Sequence, residues 1–314
     1  MLTRRHIRVK VMQSMYAMEK SGNDNYKTEE KFLLKSMHEM YDLFLMQLSL
    51  FVELKEKEED YLEKLSQKHL ATAEDKDPNR KFANNALLSL LSNSKTLKKT
   101  IESRKLNFWS QNEEYISIVW NAVRISSHFE AYTSSKDTSL AEDRNFIISI
   151  FKEVIAPNEK LYEFIEDYKL TWIDDLPIVN TVILKFLQNV KLSGANEIAI
   201  PTLFKNEDDK EFALTLFEQA LFNSEEYENE IEGKTPNWDK ERIAHLDAIL
   251  IKLAICELLT FSSIPVKVTI NEYLEIAKEY STPKSSIFIN GVIDKLSKEF
   301  SKKGKLNKIG RGLQ

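Results

Sequence analysis

The first ten residues carry four cations and no acid: Arg4, Arg5, Arg8 and Lys10. Guanidinium groups hold phosphates through paired hydrogen bonds, so this cluster could bind a nucleic-acid backbone. Tyr16 follows on the same predicted helix and could stack against a base if its ring is exposed. The alternative is that the cations only close the edge of a helical bundle, with Tyr16 in the core. The helix dipole does not account for them, because cations are unfavourable at a helix N-terminus.

Charge is segregated along the chain. The 314 residues have a formal net charge of −5, although residues 1–10 carry +4 and residues 298–314 carry +5, which leaves −14 for the middle. Short basic ends on an acidic body are typical of a protein that touches a polyanion at one place. The alternative for residues 298–314 is a solvated, flexible tail.

Catalytic or metal-binding patterns do not emerge from the remaining polar residues. The five histidines are scattered, and no H-E-x-x-H motif or Cys/His cluster has metal-ligand spacing. Cys256 lies in an apolar run, which favours a buried, inert thiol over a nucleophile. The sequence therefore predicts no enzyme, no metal and no cofactor.

Composition indicates that helices position these residues. Glycine contributes only 7 of the 314 residues, and no glycine-rich phosphate-binding motif is present. An all-α protein is therefore predicted. The lone cysteine, the absence of an apolar run of ~18 residues and the lack of a secretory signal predict a soluble, cytoplasmic protein without a membrane partner.

A repeat of 66 residues appears in the second half of the chain. Phe146, Phe151 and Ile183 recur as Phe212, Phe217 and Ile249, and the window 143–187 contains nine identities at this spacing. We interpret this pattern as a duplicated multi-helix module. The alternative is a coincidence of generic helical periodicity.

Two stretches of the sequence resemble one known family. TRRHIRVKVMQSMY, at residues 3–16, is similar to the R-R-x-A-R-x-x-A-L-Q-x-L-Y opening of the NusB family of bacterial transcription antitermination factors. Near the C-terminus, IPVKVTINEYLEIAKEY and FINGVIDKL resemble that family's I-P-x-K-V-x-I-N-E and F-x-N-G-V motifs. The resemblance covers residues 3–20 and 207–297, and the long middle resembles that of members from the Bacteroidetes lineage.

The resemblance implies an all-α fold of NusB-like packed helical bundles with an additional duplicated helical module. Residues 1–24 would form the arginine-rich helix of the core, 25–205 an expanded helical region containing the repeat, and 206–297 the C-terminal NusB-like bundle. Residues 298–314 would form the flexible basic tail.

The resemblance also implies binding of boxA-type RNA jointly with the ribosomal protein NusE, within an RNA polymerase antitermination complex. The positions implied or added for RNA binding are Arg4, Arg5, Arg8, Lys10, Gln13, Tyr16, Lys284, Ser285 and Phe288. Asp247, with Glu241 as a second position, would contact the protein partner. No small-molecule substrate is implied. The alternative function is a helical protein–protein scaffold that uses its acidic middle surface and does not bind RNA.

Overall fold

The computed structural model describes residues 1–22, 25–69, 72–191, 197–232 and 244–313, and within these ranges the chain forms helices and no strand. The predicted all-α class is confirmed. The chain divides into two compact units. The split unit comprises Met1–Met37 and Leu203–Gln314, and the inserted unit comprises His38–Thr202. No helix in the described ranges is long and apolar enough to cross a membrane.

A central helix organises the split unit. This helix, α13 (His245–Thr260), is buried at every residue from Ile249 to Leu258, as expected for a helix that is apolar nearly all round. Five helices pack around it: α1 (Arg4–Ser21), α11 (Glu207–Phe222), α12 (Ser224–Glu232), α14 (Val266–Tyr280) and α15 (Pro283–Lys302). The two charged residues in its buried stretch, Lys252 and Glu257, both have ionic partners.

The N-terminal helix α1 has clear local signals at both ends. The Thr3 side chain accepts a hydrogen bond from the backbone of His6 at its start, and Gly22 ends it with φ of +65°, in the left-handed region that favours glycine. Its apolar stripe includes Ile7, Val11 and Met15, which are fully buried. Their spacing of four residues places all three on one side of α1, the side that faces the core.

The inserted unit begins within a long helix, α2 (Tyr26–Ser66), whose first residues belong to the split unit. The helices that follow in the inserted unit are α3 (Ala73–Lys76), α4 (Ala86–Asn93), α5 (Lys95–Ser103), α6 (Glu113–Arg124), α7 (Ser127–Ser134), α8 (Leu140–Ile150), α9 (Glu159–Tyr168) and α10 (Trp172–Asn189). The segment Phe151–Ile155 continues α8 as a π-helical turn. Aliphatic and aromatic side chains together form the core, and the Trp120 indole and the Arg124 guanidinium both bond to the buried Glu58 carboxylate.

The helices that carry the repeat occur in the same order in both copies. α8 and α9 begin 67 and 65 residues before α11 and α12, respectively, close to the 66-residue spacing. Phe146 and Phe212 are both buried, as are Phe151 and Phe217. At the same spacing Trp172 would correspond to Trp238, which lies outside the described residues. The duplication stays a prediction, which the matching order of the helices supports.

Two predicted segment boundaries differ from the structure. Residue 25 does not open a separate region, because α2 runs from Tyr26 across the division between units at residues 37 and 38. The segment 298–314 is not a free tail: α15 continues to Lys302, the Ile309 amide donates to the Ser262 carbonyl, and the Lys308 ammonium donates to the Phe261 carbonyl. These bonds correct the prediction of a flexible tail.

Candidate nucleic-acid interface

The predicted cation Arg8 lies in the interior of the split unit. Its side chain is 2% exposed, and its Nε and Nη2 donate to the two carboxylate oxygens of Glu257, each at 2.7 Å. Thr269 and Tyr273 also donate to this carboxylate, at 2.8 and 3.3 Å. Burial alone would lower the pKa of Arg8, but the charge and hydrogen bonds of Glu257 outweigh it and raise the pKa above its ordinary value. Arg8 therefore links α1 to Glu257 of α13, whose carboxylate also binds Thr269 and Tyr273 of α14.

Arg4 and Arg5 lie at the edge of the same unit and are each 41% exposed. Arg5 donates from Nε and Nη2 to Glu272, at 2.9 and 2.8 Å, which leaves its Nη1 edge without a partner among the described residues. Arg4 uses only Nε, which donates to Asp209 at 3.1 Å. The hydrogen bond from Arg5 and the nearby Arg8 charge lower the pKa of Glu272. Both arginines therefore retain N–H groups that could reach a phosphate.

One face of α1 carries the polar and aromatic side chains that reach solvent. At 100° per residue, Arg5, Gln13, Tyr16 and Lys20 fall within about 80° of one another. Gln13 is half-buried and Tyr16 is 40% exposed. The Tyr16 ring meets the His245 ring edge-on at 5.3 Å, and the Lys20 ammonium lies 5.6 Å from the Tyr16 ring centre. By contrast, Lys10 is 4% exposed.

The second predicted element lies on the first two turns of α15, directly after the connection from α14. Lys284 and Ile287 are exposed, the latter by 76%, and Phe288 is half-buried. Ser285 is buried: its hydroxyl bonds to Ser281 and Thr282, both at 2.9 Å. Of the three residues predicted to bind RNA here, Lys284 and part of Phe288 are accessible to a ligand, and Ser285 stabilises the start of α15.

A chain of contacts joins this turn to the Tyr16 end of α1. Tyr16 contacts His245, which begins α13, and Asp247, two residues later, accepts a hydrogen bond from Ser281 at 2.6 Å. Arg4 and Arg5 lie at the opposite end of α1, about 16 to 18 Å along its axis from Tyr16 at ~1.5 Å per residue. The predicted residues therefore extend along the helix instead of converging on one point.

The two positions predicted for a protein partner have different outcomes. Asp247 is 4% exposed and is occupied by the Ser281 hydroxyl, so it holds the α14–α15 turn in place. Glu241 lies outside the described residues. Exposed carboxylates are found instead on α12, at Glu225, Glu226 and Glu228.

Sequence reasoning missed the acidic partners of the arginines. Glu257 had a recognisable signal, because a carboxylate inside the apolar run LAICELL must be paired if the run is buried. No signal in the sequence linked Glu272 to Arg5, which is 267 positions away.

Groups suited to catalysis are sparse in the described ranges. No group of three or more His, Cys, Asp or Glu side chains is arranged to hold a metal in this part of the chain. Cys256 is fully buried, and burial raises the pKa of its thiol to about 12, so little thiolate forms at neutral pH.

Comparison with known proteins identifies the family. The sequence profile of the NusB family matches residues 185–298. The chain is 42% identical over 130 residues to the transcription antitermination protein NusB of Salinibacter ruber, which covers 40% of this chain and 81% of that relative. The NusB proteins of Chloroherpeton thalassium and Thermodesulfovibrio yellowstonii are 41% and 39% identical over 104 and 95 residues, covering 33% and 30% of this chain and 49% and 63% of those relatives. No solved structure matches significantly. Because the alignment to the Salinibacter protein spans four-fifths of that relative, the chain belongs to the NusB family.

Proposed function

We propose that this chain is a non-enzymatic transcription antitermination factor that binds boxA-type RNA together with the ribosomal protein NusE. The observation that carries the proposal is the similarity to relatives named transcription antitermination protein NusB. The accessible face of α1 supports it, because Arg5, Tyr16 and Lys20 offer cations and an aromatic ring along one side of a helix.

The proposed contacts divide by chemistry. The uncommitted N–H groups of Arg4 and Arg5 and the exposed ammonium of Lys284 would hold phosphates. The rings of Tyr16 and Phe288 would meet bases, since an aromatic face accepts any base by stacking. A single strand running along α1 would span the ~16 Å between Arg5 and Tyr16.

Three of the predicted RNA residues have supporting roles in this proposal. Arg8, Lys10 and Ser285 are at most 5% exposed. Arg8 anchors α1 through Glu257, and Ser285 bonds to the residues that form the α14–α15 turn. They would position the contacting residues without touching RNA.

We propose that NusE docks on an acidic surface of the split unit. Asp247 supports the turn from inside, whereas α12 carries exposed carboxylates: Glu225 has no ionic partner among the described residues, and Glu226 and Glu228 lie beside Lys305 and Lys252. Joint binding would raise affinity for RNA because two ligands on one scaffold share the cost of ordering.

The test is fluorescence anisotropy with the full chain and a labelled boxA-like RNA across a salt series. Arg5→Ala is expected to weaken binding about tenfold (~1.4 kcal/mol) and to lower the salt slope by ~0.7. Lys295→Ala is the matched control, because Lys295 is exposed on α15 and has no ionic partner among the described residues. The double variant Arg5→Ala/Glu272→Gln distinguishes two causes of weaker RNA binding. If Arg5 contacts a phosphate, the double variant binds RNA as weakly as Arg5→Ala. If the unpaired Glu272 carboxylate repels RNA, the double variant recovers affinity.

Parent-like binding and salt slope for Arg5→Ala would contradict the proposed RNA face. If the unmodified chain fails to shift boxA-like RNA in a gel, alone and with NusE, the protein–protein scaffold becomes the better description.

A further inference from the structure

A second concentration of accessible cations lies on the inserted unit. Helix α5 carries Lys95, Lys98 and Lys99 at spacing i, i+3 and i+4, which places them on neighbouring positions of one helical face. Lys105 follows two residues after the helix ends. All four side chains are exposed, and none forms an ion pair with a described residue. We call these four residues the α5 ridge.

The charge of the ridge is opposite to that of the unit that carries it. Residues 38–202 contain 26 carboxylates and 20 cations, a net charge of −6. Residues 95–105 contain five cations and only Glu102, but Asp42 pairs with Arg104 and the Glu197 carboxylate accepts from the Lys95 amide. With these two neighbours the segment carries +2, and the rest of the unit carries −8. An isolated positive field on a negative body attracts a polyanion to one place and repels it elsewhere.

The ridge is held on a fixed support. Leu97, on the opposite side of α5, is 1% exposed. Arg104, at the end of α5, donates to the Asp42 carboxylate and the His38 carbonyl of α2, and its guanidinium lies 5.4 Å from the Tyr41 ring centre. The four lysines therefore project from a helix whose backbone is anchored.

The backbone at Lys105 gives an independent observation. Its φ is +56°, and within the described ranges it is the only residue other than glycine with positive φ. Its amide donates to the Glu102 carbonyl at 2.9 Å, and the next amide donates to Ile101, the pattern by which a helix ends in a left-handed residue. Glycine or asparagine is preferred at such a position. A lysine here adds a fourth cation to the ridge at a cost in backbone strain.

We propose that the α5 ridge binds the phosphodiester backbone of nucleic acid without reading its sequence. The residues beside the lysines on the exposed side, Thr96, Glu102 and Ser103, are polar, so the ridge lacks the apolar anchor that a protein partner would bury. Lysine is a point charge on a flexible stem, which suits a phosphate contact better than a bidentate base contact. The ridge lies outside residues 185–298, the part that matches the NusB profile.

The first test is the full chain with Lys95, Lys98 and Lys99 all changed to Gln. Three probes distinguish the sources of the phosphodiester: a single-stranded RNA of scrambled sequence, a DNA duplex, and poly-glutamate as a polyanion without phosphate. With RNA we expect about a tenfold loss of affinity and a fall of ~2 in the salt slope, since each single-strand contact contributes ~0.7. With the duplex the slope should fall by ~2.7 if DNA is the ligand.

The matched control changes Lys64, Lys152 and Lys185 to Gln, because these lysines are exposed on the same unit and have no ionic partner among the described residues. Equal losses in the ridge variant and the control would overturn the proposal, as would poly-glutamate binding as tightly as nucleic acid. Because scrambled RNA has no boxA sequence, this result does not depend on the boxA proposal. The Arg5→Ala variant tests the other surface, on α1.

A second variant separates binding from folding. Lys105→Gly relieves the left-handed strain and removes one cation, so we expect a higher melting temperature together with a two- to threefold loss of affinity for scrambled RNA. If Lys105 has only a structural role, Lys105→Gly will change the melting temperature and leave the affinity for scrambled RNA unaltered. That outcome would contradict the proposed binding by the α5 ridge.

Discussion

The buried pair of Arg8 and Glu257 allows the sharpest test of the structure. Arg8→Met keeps most of the aliphatic volume and removes the charge. Glu257 then loses two charged hydrogen bonds of 2.7 Å and keeps only those from Thr269 and Tyr273. Two such bonds at ~1.5–3 kcal/mol each give a loss near 3–6 kcal/mol, consistent with the ~3–5 kcal/mol expected when one partner of a buried pair is removed.

The cause of the loss can be tested separately from its size. Adding Glu257→Gln removes the unpaired buried charge, so the double variant should recover much of the stability that Arg8→Met loses.

Hydrogen exchange of peptides from α1 and α13 measures the opening of the split unit separately from that of the inserted unit. Urea unfolding gives the difference in free energy of unfolding between the parent and the variant. RNA binding by the folded Arg8→Met variant should keep the parent's salt slope, since Arg8 is 2% exposed. The reasoning fails if stability falls by less than ~1 kcal/mol, or if the folded variant loses ~0.7 of salt slope, which would mark Arg8 as a phosphate contact.

Two further predictions concern the edges of the split unit. Glu272→Gln should lower the free energy of unfolding at pH 7 and make it depend less on pH in the acid range. The reason is that the lowered pKa of Glu272 gives stability that is present above about pH 4.3 and is lost as pH falls through the lower native value. A pH series of urea midpoints measures this, and an unchanged acid profile would contradict the Arg5–Glu272 pair. Gly312→Ala should release the C-terminal segment, because its Cβ would lie 1.9 Å from the Ser262 carbonyl oxygen and overpacking costs ~1–3 kcal/mol. Faster exchange of the Ile309 amide is the expected signal, and parent-like protection would refute the contact.

The helical class and the family were accessible from sequence because both depend on local pattern. Scarce glycine and the stripe of Ile7, Val11 and Met15 express helical periodicity, and two short motifs at the chain ends indicated the NusB family. The division into units was harder, because α2 crosses it without any break in composition at residues 37 and 38. The C-terminal segment was misjudged because its contacts with Phe261 and Ser262 come from a distant part of the chain.

The residues that could meet a phosphate were recognisable from the sequence, as a row of cations on one predicted helix. Which of these cations reach solvent depends on how the helix packs. Arg5 and Arg8 are three residues apart on α1, yet Arg5 is 41% exposed and Arg8 is 2% exposed. The partner that holds Arg8 inside, Glu257, is 249 positions away, brought there by the packing of α13 against α1. Burial is a property of the neighbours a helix acquires on folding, and no local pattern in α1 encodes them.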